Sequence, residues 1–192
     1  MYKFFLACII LIAACNTNSS KYPQIKIYTN YGDIEAELYP DKAPKTVATF
    51  LRYVDSGIYT NTSFYRVVIT EGLSADDNIG VIQGGTWPSD NKNHPFVKGI
   101  PHESTKQTGL SHTTGTLSLA RTDTGTASTE FFICIGDQSQ FDAGGTQPAD
   151  KLGYPAFGKV TSGMKVVREI QKQYGDGDGF RKKIEIYKIK RM

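Results

Sequence analysis

One arginine lies in the middle of an otherwise apolar segment. The sequence Phe64-Tyr65-Arg66-Val67-Val68 predicts a β-strand, because aromatic and β-branched residues favour that conformation. Its period of two would place Phe64, Arg66 and Val68 on one face. A guanidinium stays charged and presents a rigid fork of N–H donors, which suits the binding of a polar atom. Taken alone, this arginine could as readily be an exposed charge or part of a structural ion pair as a functional residue.

Two more apolar segments each carry a polar side chain that could join such a site. The segment EFFICI, residues 130–135, predicts a strand with Glu130 and Phe132 on one face and three apolar side chains on the core face. The segment VIQGG, residues 81–85, places Gln83 in an apolar strand before two glycines. Each of these residues by itself is more often structural than functional.

The hydrophobic patterns along the chain predict eight strands and two helices. The helices are expected over Pro44–Ser56, with apolar residues at i, i+3, i+4 and i+7, and over Met164–Lys172. No βαβ alternation is present, so a closed barrel or a sandwich with helices over its openings is favoured. The strands are expected over Gln24–Thr29, Asp33–Leu38, Ser63–Ile69, Val81–Gly85, Gly115–Ala120, Glu130–Ile135, Ala156–Val160 and Ile184–Ile189.

Four phrases together carry a resemblance to a known family. FYRVV, VIQGG, GTLSLARTDTGTASTEFFICIG and AFGKV occur in the order and approximate spacing of the cyclophilin signatures. The resemblance to cyclophilins, which are peptidyl-prolyl cis-trans isomerases, covers the chain from about residue 24 to about residue 190. It implies a mostly β fold, an eight-stranded antiparallel closed barrel capped by two α-helices, and isomerase activity on X–Pro bonds.

The resemblance also assigns roles to residues. Arg66 takes the place of the catalytic arginine, and Gln83 lies beside it. Ala120 and Arg121 fall where backbone and side-chain groups hold the extended peptide. The other substrate-binding positions implied are Phe64, Val81, Glu130, Phe132, Phe141 and Tyr154. Rotation about an amide bond needs no covalent step, so no cofactor and no metal are expected.

The sequence departs from the best-known cyclophilin pattern around the pocket for the proline ring. The longer connection from Thr70 to Val81 leaves Gly80 and Val81 where many members have a Phe-Met pair. A shallower proline pocket is therefore expected, unless Leu73 or another loop residue fills the gap. Gln140 stands where eukaryotic relatives often have tryptophan, which predicts weak binding of cyclosporin.

The N-terminal residues differ from the rest of the chain. Lys3 precedes an apolar run that ends at Cys15 and is too short for a membrane span, which predicts an export signal. The small residues before Cys15 resemble a bacterial lipobox, and an ordinary signal peptide or a disordered start is the alternative. The expected parts are a lipoprotein signal peptide (1–14), a tether carrying lipid on Cys15 (15–23) and an isomerase domain (24–192).

The net charge and the cysteine content limit the classes of partner and the disulfides that the chain could have. The net charge is +3, and removal of residues 1–14 takes away one lysine, which gives 21 − 19 = +2. This mild charge does not suggest nucleic-acid binding. Without Cys8 and Cys15 only Cys134 remains, and its apolar surroundings indicate a buried small hydrophobe and no internal disulfide.

Location and clients follow from the export signal and the family resemblance. We expect a monomer in the cell envelope, facing the periplasm and held to a membrane only by lipid. By analogy, Asn16 after the cysteine favours the outer membrane over the inner. The expected partners are proline-containing segments of unfolded or flexible exported proteins, whose folding the chain would assist.

Several features of the sequence suggest alternative functions or sites. The same barrel could bind proline segments without turnover, as a holdase chaperone module, or the chain could be a structural surface lipoprotein. The Gly- and Asp-rich segment 174–179 superficially resembles a calcium loop but lacks its terminal glutamate, so a turn is favoured. His102 and Glu103 suggest a hydrogen-bonded pair within a loop, and His112 and Ser118 are not expected to form a hydrolase triad.

Overall fold

The computed structural model describes residues 20–70, 72, 74, 77–87 and 99–192. The signal segment 1–14, Cys15, Leu73 and His94 lie outside the described residues, and so does most of the tether. The helices are α1 (Pro44–Asp55), α2 (Thr105–Thr108) and α3 (Met164–Gln171). The strands are β1 (Gln24–Thr29), β2 (Gly32–Leu38), β3 (Thr62–Thr70), β4 (Ile79–Gly85), β5 (Thr116–Leu119), β6 (Phe131–Ile135), β7 (Ala156–Ser162) and β8 (Ile184–Arg191).

The eight strands form a closed antiparallel barrel, which confirms the predicted fold. Around the barrel the order is β1-β2-β7-β5-β6-β4-β3-β8, and every neighbouring pair is antiparallel. β1 and β2 are joined by a short turn at Asn30 and Tyr31. Closure leaves the barrel without a free sheet edge to which another strand could pair.

The described residues contain three helices, where the sequence predicted two. The additional helix, α2, has only four residues and no apolar face, so periodicity gave no signal for it. Local hydrogen bonds define it instead. The side chains of Ser104 and Gln107 form a capping box at its start, and Gly109 ends it in the left-handed conformation. A short 3-10 turn at Ser139–Phe141 is also absent from the sequence prediction.

The core fills the barrel and extends under the two longer helices. Apolar side chains from every strand point inward, and the predicted apolar face of α1 packs against them through Val47, Phe50, Leu51 and Val54. Val167 and Ile170 do the same from α3. Phe131 lies at the centre, because its ring contacts Phe50, Tyr59 and Phe64 edge to face with centroids 5.7–5.8 Å apart.

The start of α1 is capped from a distant loop. Ala43, which precedes the helix, has no side chain that could accept from the free N–H groups of the first turn. The buried carboxylate of Glu103 accepts instead from Lys45 N at 3.1 Å, from Thr46 N at 2.8 Å and from Thr46 Oγ1 at 2.7 Å. The predicted pair of His102 with Glu103 is therefore wrong, since Nε2 of His102 lies 3.0 Å from the carbonyl of Leu152.

The residues before β1 are attached to the barrel. Tyr22 packs edge to face on Tyr39, with ring centroids 5.1 Å apart, and donates a hydrogen bond to Asp41. The carbonyl of Pro23 accepts from Leu38 N at 2.9 Å. The end of the predicted tether therefore packs on the domain. Among the described residues, no helix has the length and apolar character needed to cross a bilayer.

We predict that Glu103→Ala lowers the free energy of unfolding by about 1–2 kcal/mol, because it leaves two N–H groups at the positive end of a helix without an acceptor. Glu103→Gln keeps one acceptor oxygen and should lose less. Urea unfolding followed by circular dichroism measures both variants. Asp176 is exposed, and among the described residues its side chain has no hydrogen bond or ion pair, so Asp176→Ala is the control. An unfolding free energy equal to that control would contradict the capping role.

Candidate active site

A β-bulge in β3 decides which side chains face outward. The pairing of β3 with β4 shifts between Phe64 and Arg66, so Phe64 lies opposite Gly84 while Arg66 lies opposite Gln83. The extra residue changes the alternation, and both Phe64 and Val67 point into the core. The prediction that Phe64 and Arg66 share a face is therefore wrong. Phe64 is 1% exposed and lies outside the site that its neighbour helps to form.

The outer faces of β3, β4 and β6 and two nearby loops enclose an open groove of about 740 Å³. The loops are residues 120–130 and 140–154. Predicted site residues that line this groove are Arg66, Val81, Gln83, Ala120, Arg121, Glu130, Phe132, Phe141 and Tyr154. The structure therefore brings together all the predicted catalytic and substrate-binding residues except Phe64. Gln140 lines the groove as well.

Three aromatic rings make the apolar end of the groove. Phe132, Phe141 and Tyr154 contact one another edge to face, with centroids 5.4–5.7 Å apart. Val81 and the fully buried Cys134 lie beside Phe132 in the same cluster. Burial raises the pKa of the Cys134 thiol, so the residue acts as the small hydrophobe that the sequence predicts. An apolar surface of this size could bind a proline ring.

The wall near the missing Phe-Met pair is formed by two valines. Val68 and Val81 both line the groove. Gly80 precedes Val81 in β4 and pairs with Ile69; it has a φ of +143°, and a Cβ there would lie 1.9 Å from the carbonyl oxygen of Val68. No side chain fits at this position without moving the backbone. Val68 was not among the predicted binding residues, although the predicted strand face placed it beside Arg66.

Arg66 is held by partners on two sides. Its Nε and Nη2 atoms donate to Oδ2 of Asp178 at 3.0 and 2.8 Å, and its Nη1 donates to Oε1 of Gln83 at 3.3 Å. These bonds use three of the five N–H groups of the guanidinium. Within the described part of the chain, the other two N–H groups have no partner and remain for a ligand. The arginine side chain is 45% exposed at the edge of the groove.

A chain of hydrogen bonds continues from Gln83 to the groove carboxylate. Gln83 donates to the hydroxyl of Tyr65 at 2.7 Å, and that hydroxyl donates to Glu130 at 2.7 Å. Burial, followed by the charge of Glu130, raises the pKa of Tyr65, which keeps the hydroxyl neutral. Glu130 also accepts from Thr86, Trp87 and Thr129. This carboxylate therefore fixes the amide orientation of Gln83.

Sequence reasoning missed Tyr65 and Asp178. The strand pattern assigned Tyr65 to the face opposite Arg66, and only the bulge brings both into one network. Asp178 belongs to the Gly- and Asp-rich segment and lies 112 positions from Arg66, so no local pattern connects them. Within the described part of the chain, no three His, Cys, Asp or Glu side chains lie close enough to share a metal ion.

The side chain of Arg121 has a structural partner. Its guanidinium is fully buried and makes a bidentate pair with Asp150, at 2.7 and 2.8 Å, while its Nε donates to the carbonyl of Gly153 at 2.9 Å. Hydrogen bonding to Arg121 holds the pKa of Asp150 well below its usual range. The guanidinium also lies 5.6 Å from the ring centre of Tyr154. Arg121 therefore holds the loop that supplies Tyr154, whereas the resemblance assigned its side chain to the peptide.

A buried histidine supports the apolar end of the groove from below. Nδ1 of His112 lies 2.6 Å from Asp142, Nε2 lies 3.0 Å from the hydroxyl of Ser118, and its ring stacks on Phe132. Asp142, His112 and Ser118 are thus connected in the order of a hydrolase triad, a geometry that the sequence did not indicate. Because His112 and Ser118 are both 0% exposed, a substrate cannot reach the hydroxyl, and the arrangement is not a hydrolytic site.

We predict that protonation of His112 destabilises the fold. Burial lowers its pKa below the ordinary value, although Asp142 acts in the opposite direction. The unfolded chain therefore binds a proton before the folded protein does. This contribution to stability is complete above the unfolded pKa of about 6.5 and is lost as pH falls towards the lower folded pKa. Urea unfolding between about pH 7.5 and about pH 5 measures the loss. If the unfolding free energy of His112→Gln fell with pH as steeply as that of the unaltered chain, this assignment would be contradicted.

Comparison with known proteins gives a consistent result. The family model described as "Cyclophilin type peptidyl-prolyl cis-trans isomerase/CLD" matches residues 24–191. Over 148 residues the chain is 36% identical to peptidyl-prolyl cis-trans isomerase B of Escherichia coli K12, covering 77% of this chain and 83% of that protein. A peptidyl-prolyl cis-trans isomerase of Acinetobacter baylyi is 37% identical over 147 residues, covering 76% of this chain and 70% of that protein.

Solved structures show the same fold. A cyclophilin-type isomerase of Cryptosporidium parvum superimposes with a TM-score of 0.68 at 24% identity, covering 89% of this chain and 98% of that one. A second structure of that protein, determined in the presence of the dipeptide Ala-Pro, gives a TM-score of 0.67. With the family model covering nearly the whole barrel domain, the chain belongs to the cyclophilin-type peptidyl-prolyl cis-trans isomerases.

Proposed function

We propose that Arg66 catalyses the rotation of X–Pro bonds held in the groove. The observation that carries this proposal is the position of a half-exposed guanidinium, with two N–H groups left over, at the edge of an aromatic pocket. The pocket formed by Phe132, Phe141 and Tyr154 would hold the proline ring. Arg66 would then lie beside the nitrogen of the bond that rotates.

The chemistry requires one fixed donor. Resonance makes the rotation barrier about 18–20 kcal/mol, and the twisted transition state loses that resonance. Its nitrogen becomes pyramidal and gains a lone pair that can accept a hydrogen bond. A donor aimed at this nitrogen binds the transition state more strongly than the ground state, which lowers the barrier. Arg66 can supply this donor without changing its protonation state.

The rest of the groove would hold the extended peptide on either side of the proline. Ala120 leads from the apolar pocket into a polar stretch that includes Thr122, Thr126 and Ser128, all of which line the groove. Hydroxyl groups can donate to and accept from a peptide backbone without selecting particular side chains. Clients would therefore be recognised mainly through proline and an extended backbone, as expected for a folding catalyst with many substrates.

The proposed setting is the cell envelope. The signal-like residues 1–14 and the lipobox-like residues before Cys15 support an exported lipoprotein, with a tether at 15–23 and an isomerase domain at 24–192. Its clients would be exported proteins with slowly isomerising X–Pro bonds, whose folding it would assist. Asn16 after the lipidated cysteine favours the outer membrane. The chain would act as a monomer facing the periplasm.

We predict that Arg66→Ala lowers kcat/KM on a proline tetrapeptide by about a hundredfold, as expected for removal of one transition-state donor. Arg66→Lys keeps the charge but loses the planar fork, so it should retain only part of the activity. A protease-coupled assay of the full chain measures the rate, and thermal unfolding checks the fold. Arg52→Ala, on the exposed side of α1, is the matched control.

Two results of that assay would contradict the proposal. Unchanged activity in a folded Arg66→Ala variant would remove the arginine from the mechanism. Binding of the tetrapeptide by the wild-type chain without any acceleration of exchange would favour the non-catalytic holdase module.

We predict that Cys15→Ser abolishes incorporation of labelled palmitate in a bacterial expression host and moves the chain from the membrane to the soluble fraction. The sulfur is the atom to which the lipid would be attached, and serine cannot replace it there. Cys134→Ser leaves Cys15 intact and is the control, because Cys134 is buried in the barrel domain. Equal labelling of Cys15→Ser and the unaltered chain would refute the lipid anchor.

A further inference from the structure

Asp178 contacts Arg66 from outside the groove. Both Nε and Nη2 of Arg66 donate to its Oδ2 atom, and the carboxylate is 58% exposed. Asp178 does not line the groove, whereas Arg66 and Gln83 do. A carboxylate inside the groove would compete with the substrate for the guanidinium. This carboxylate instead occupies the far edge of Arg66 and leaves the groove open.

The loop that carries Asp178 is joined to the strand that carries Arg66. Gly175 N donates to the carbonyl of Gly179 at 2.7 Å, and Tyr174 pairs with Phe180 in an isolated bridge, so the loop is closed at its base. The carbonyl of Asp178 accepts from Val67 N at 2.8 Å. This bond lies one residue from Arg66 and just past the bulge, so it sets the distance between the two side chains.

Arg66 needs a partner such as Asp178 because its side chain is half exposed and can move. A long, half-exposed arginine side chain has several rotamers available unless neighbours fix it. Gln83 takes one N–H group from the groove side, at the long distance of 3.3 Å. Asp178 takes two from the opposite side. Contacts on both sides fix the plane of the guanidinium, whereas a single contact to Gln83 leaves it free to turn.

We propose that Asp178 is a positioning residue that holds the Arg66 guanidinium in the orientation that isomerisation requires. This inference rests on the proposed catalytic role of Arg66. The ion pair also reduces the positive charge that Arg66 presents. Removal of Asp178 would increase that charge only slightly in effect, because both side chains are about half exposed and water and salt screen it. The guanidinium would, however, lose its fixed orientation. Removal of Asp178 should therefore slow the reaction.

The test compares Asp178→Ala, Asp178→Asn and the control Asp176→Ala in the full chain. Asp176 lies in the same loop, and no hydrogen bond or ion pair of its side chain is seen in the described structure. We expect Asp178→Ala to lower kcat about fivefold, with KM nearly unchanged, through lost pre-organisation. Asp178→Asn keeps an acceptor oxygen and should lose less, and Asp176→Ala should keep full activity.

A double-mutant cycle separates positioning from support of the loop. If Asp178 acts through Arg66, adding Asp178→Ala to Arg66→Ala causes no further loss of the residual activity. A further fivefold loss in that background would overturn the proposal, and so would unchanged or increased kcat in Asp178→Ala alone. Full activity in Arg66→Ala would instead refute the proposed catalytic role itself, so the two failures are distinguishable.

Discussion

In this closed barrel of eight strands, side chains from all of the strands fill the centre and leave no interior space for a substrate. Any site has to use the outer surface, which the same strands also present to water. The same strand therefore has to supply apolar side chains to the core and functional side chains to the surface. The bulge in β3 makes both possible. By adding one residue between Phe64 and Arg66, it directs Phe64 and Val67 inward while Arg66 and Val68 point outward. The core keeps its packing, and the groove receives both a cation and an apolar wall.

Each cation of the groove is paired with a carboxylate from a loop. Asp178 holds Arg66, and Asp150 holds Arg121 in a bidentate pair. The burial of the two arginines differs, and the function of each pair follows from that difference. The buried Arg121 has no N–H direction open to water, so its pair fixes the loop around Tyr154. The half-exposed Arg66 keeps two donors for a ligand.

The sequence was sufficient for the architecture and for most of the groove. Strand alternation and the helical face of α1 depend on local periodicity, so eight strands and both longer helices were located within a few residues. The bulge was not predictable, since either alternation of Phe64-Tyr65-Arg66 buries an aromatic ring. Long-range contacts could not be predicted from the sequence either. Neither the support of Phe132 by His112 nor the cap of α1 by Glu103 has a local signature, because each joins segments that meet only after folding.

Gly80 limits how this groove can be altered by protein engineering. A Cβ at that position would lie 1.9 Å from the Val68 carbonyl oxygen, and the φ of +143° disfavours any L-amino acid. A phenylalanine therefore cannot be introduced there by a single substitution to deepen the pocket. The connection between β3 and β4 would have to be rebuilt at the same time. Redesign of client preference has to begin with the two valines, whose side chains already line the groove.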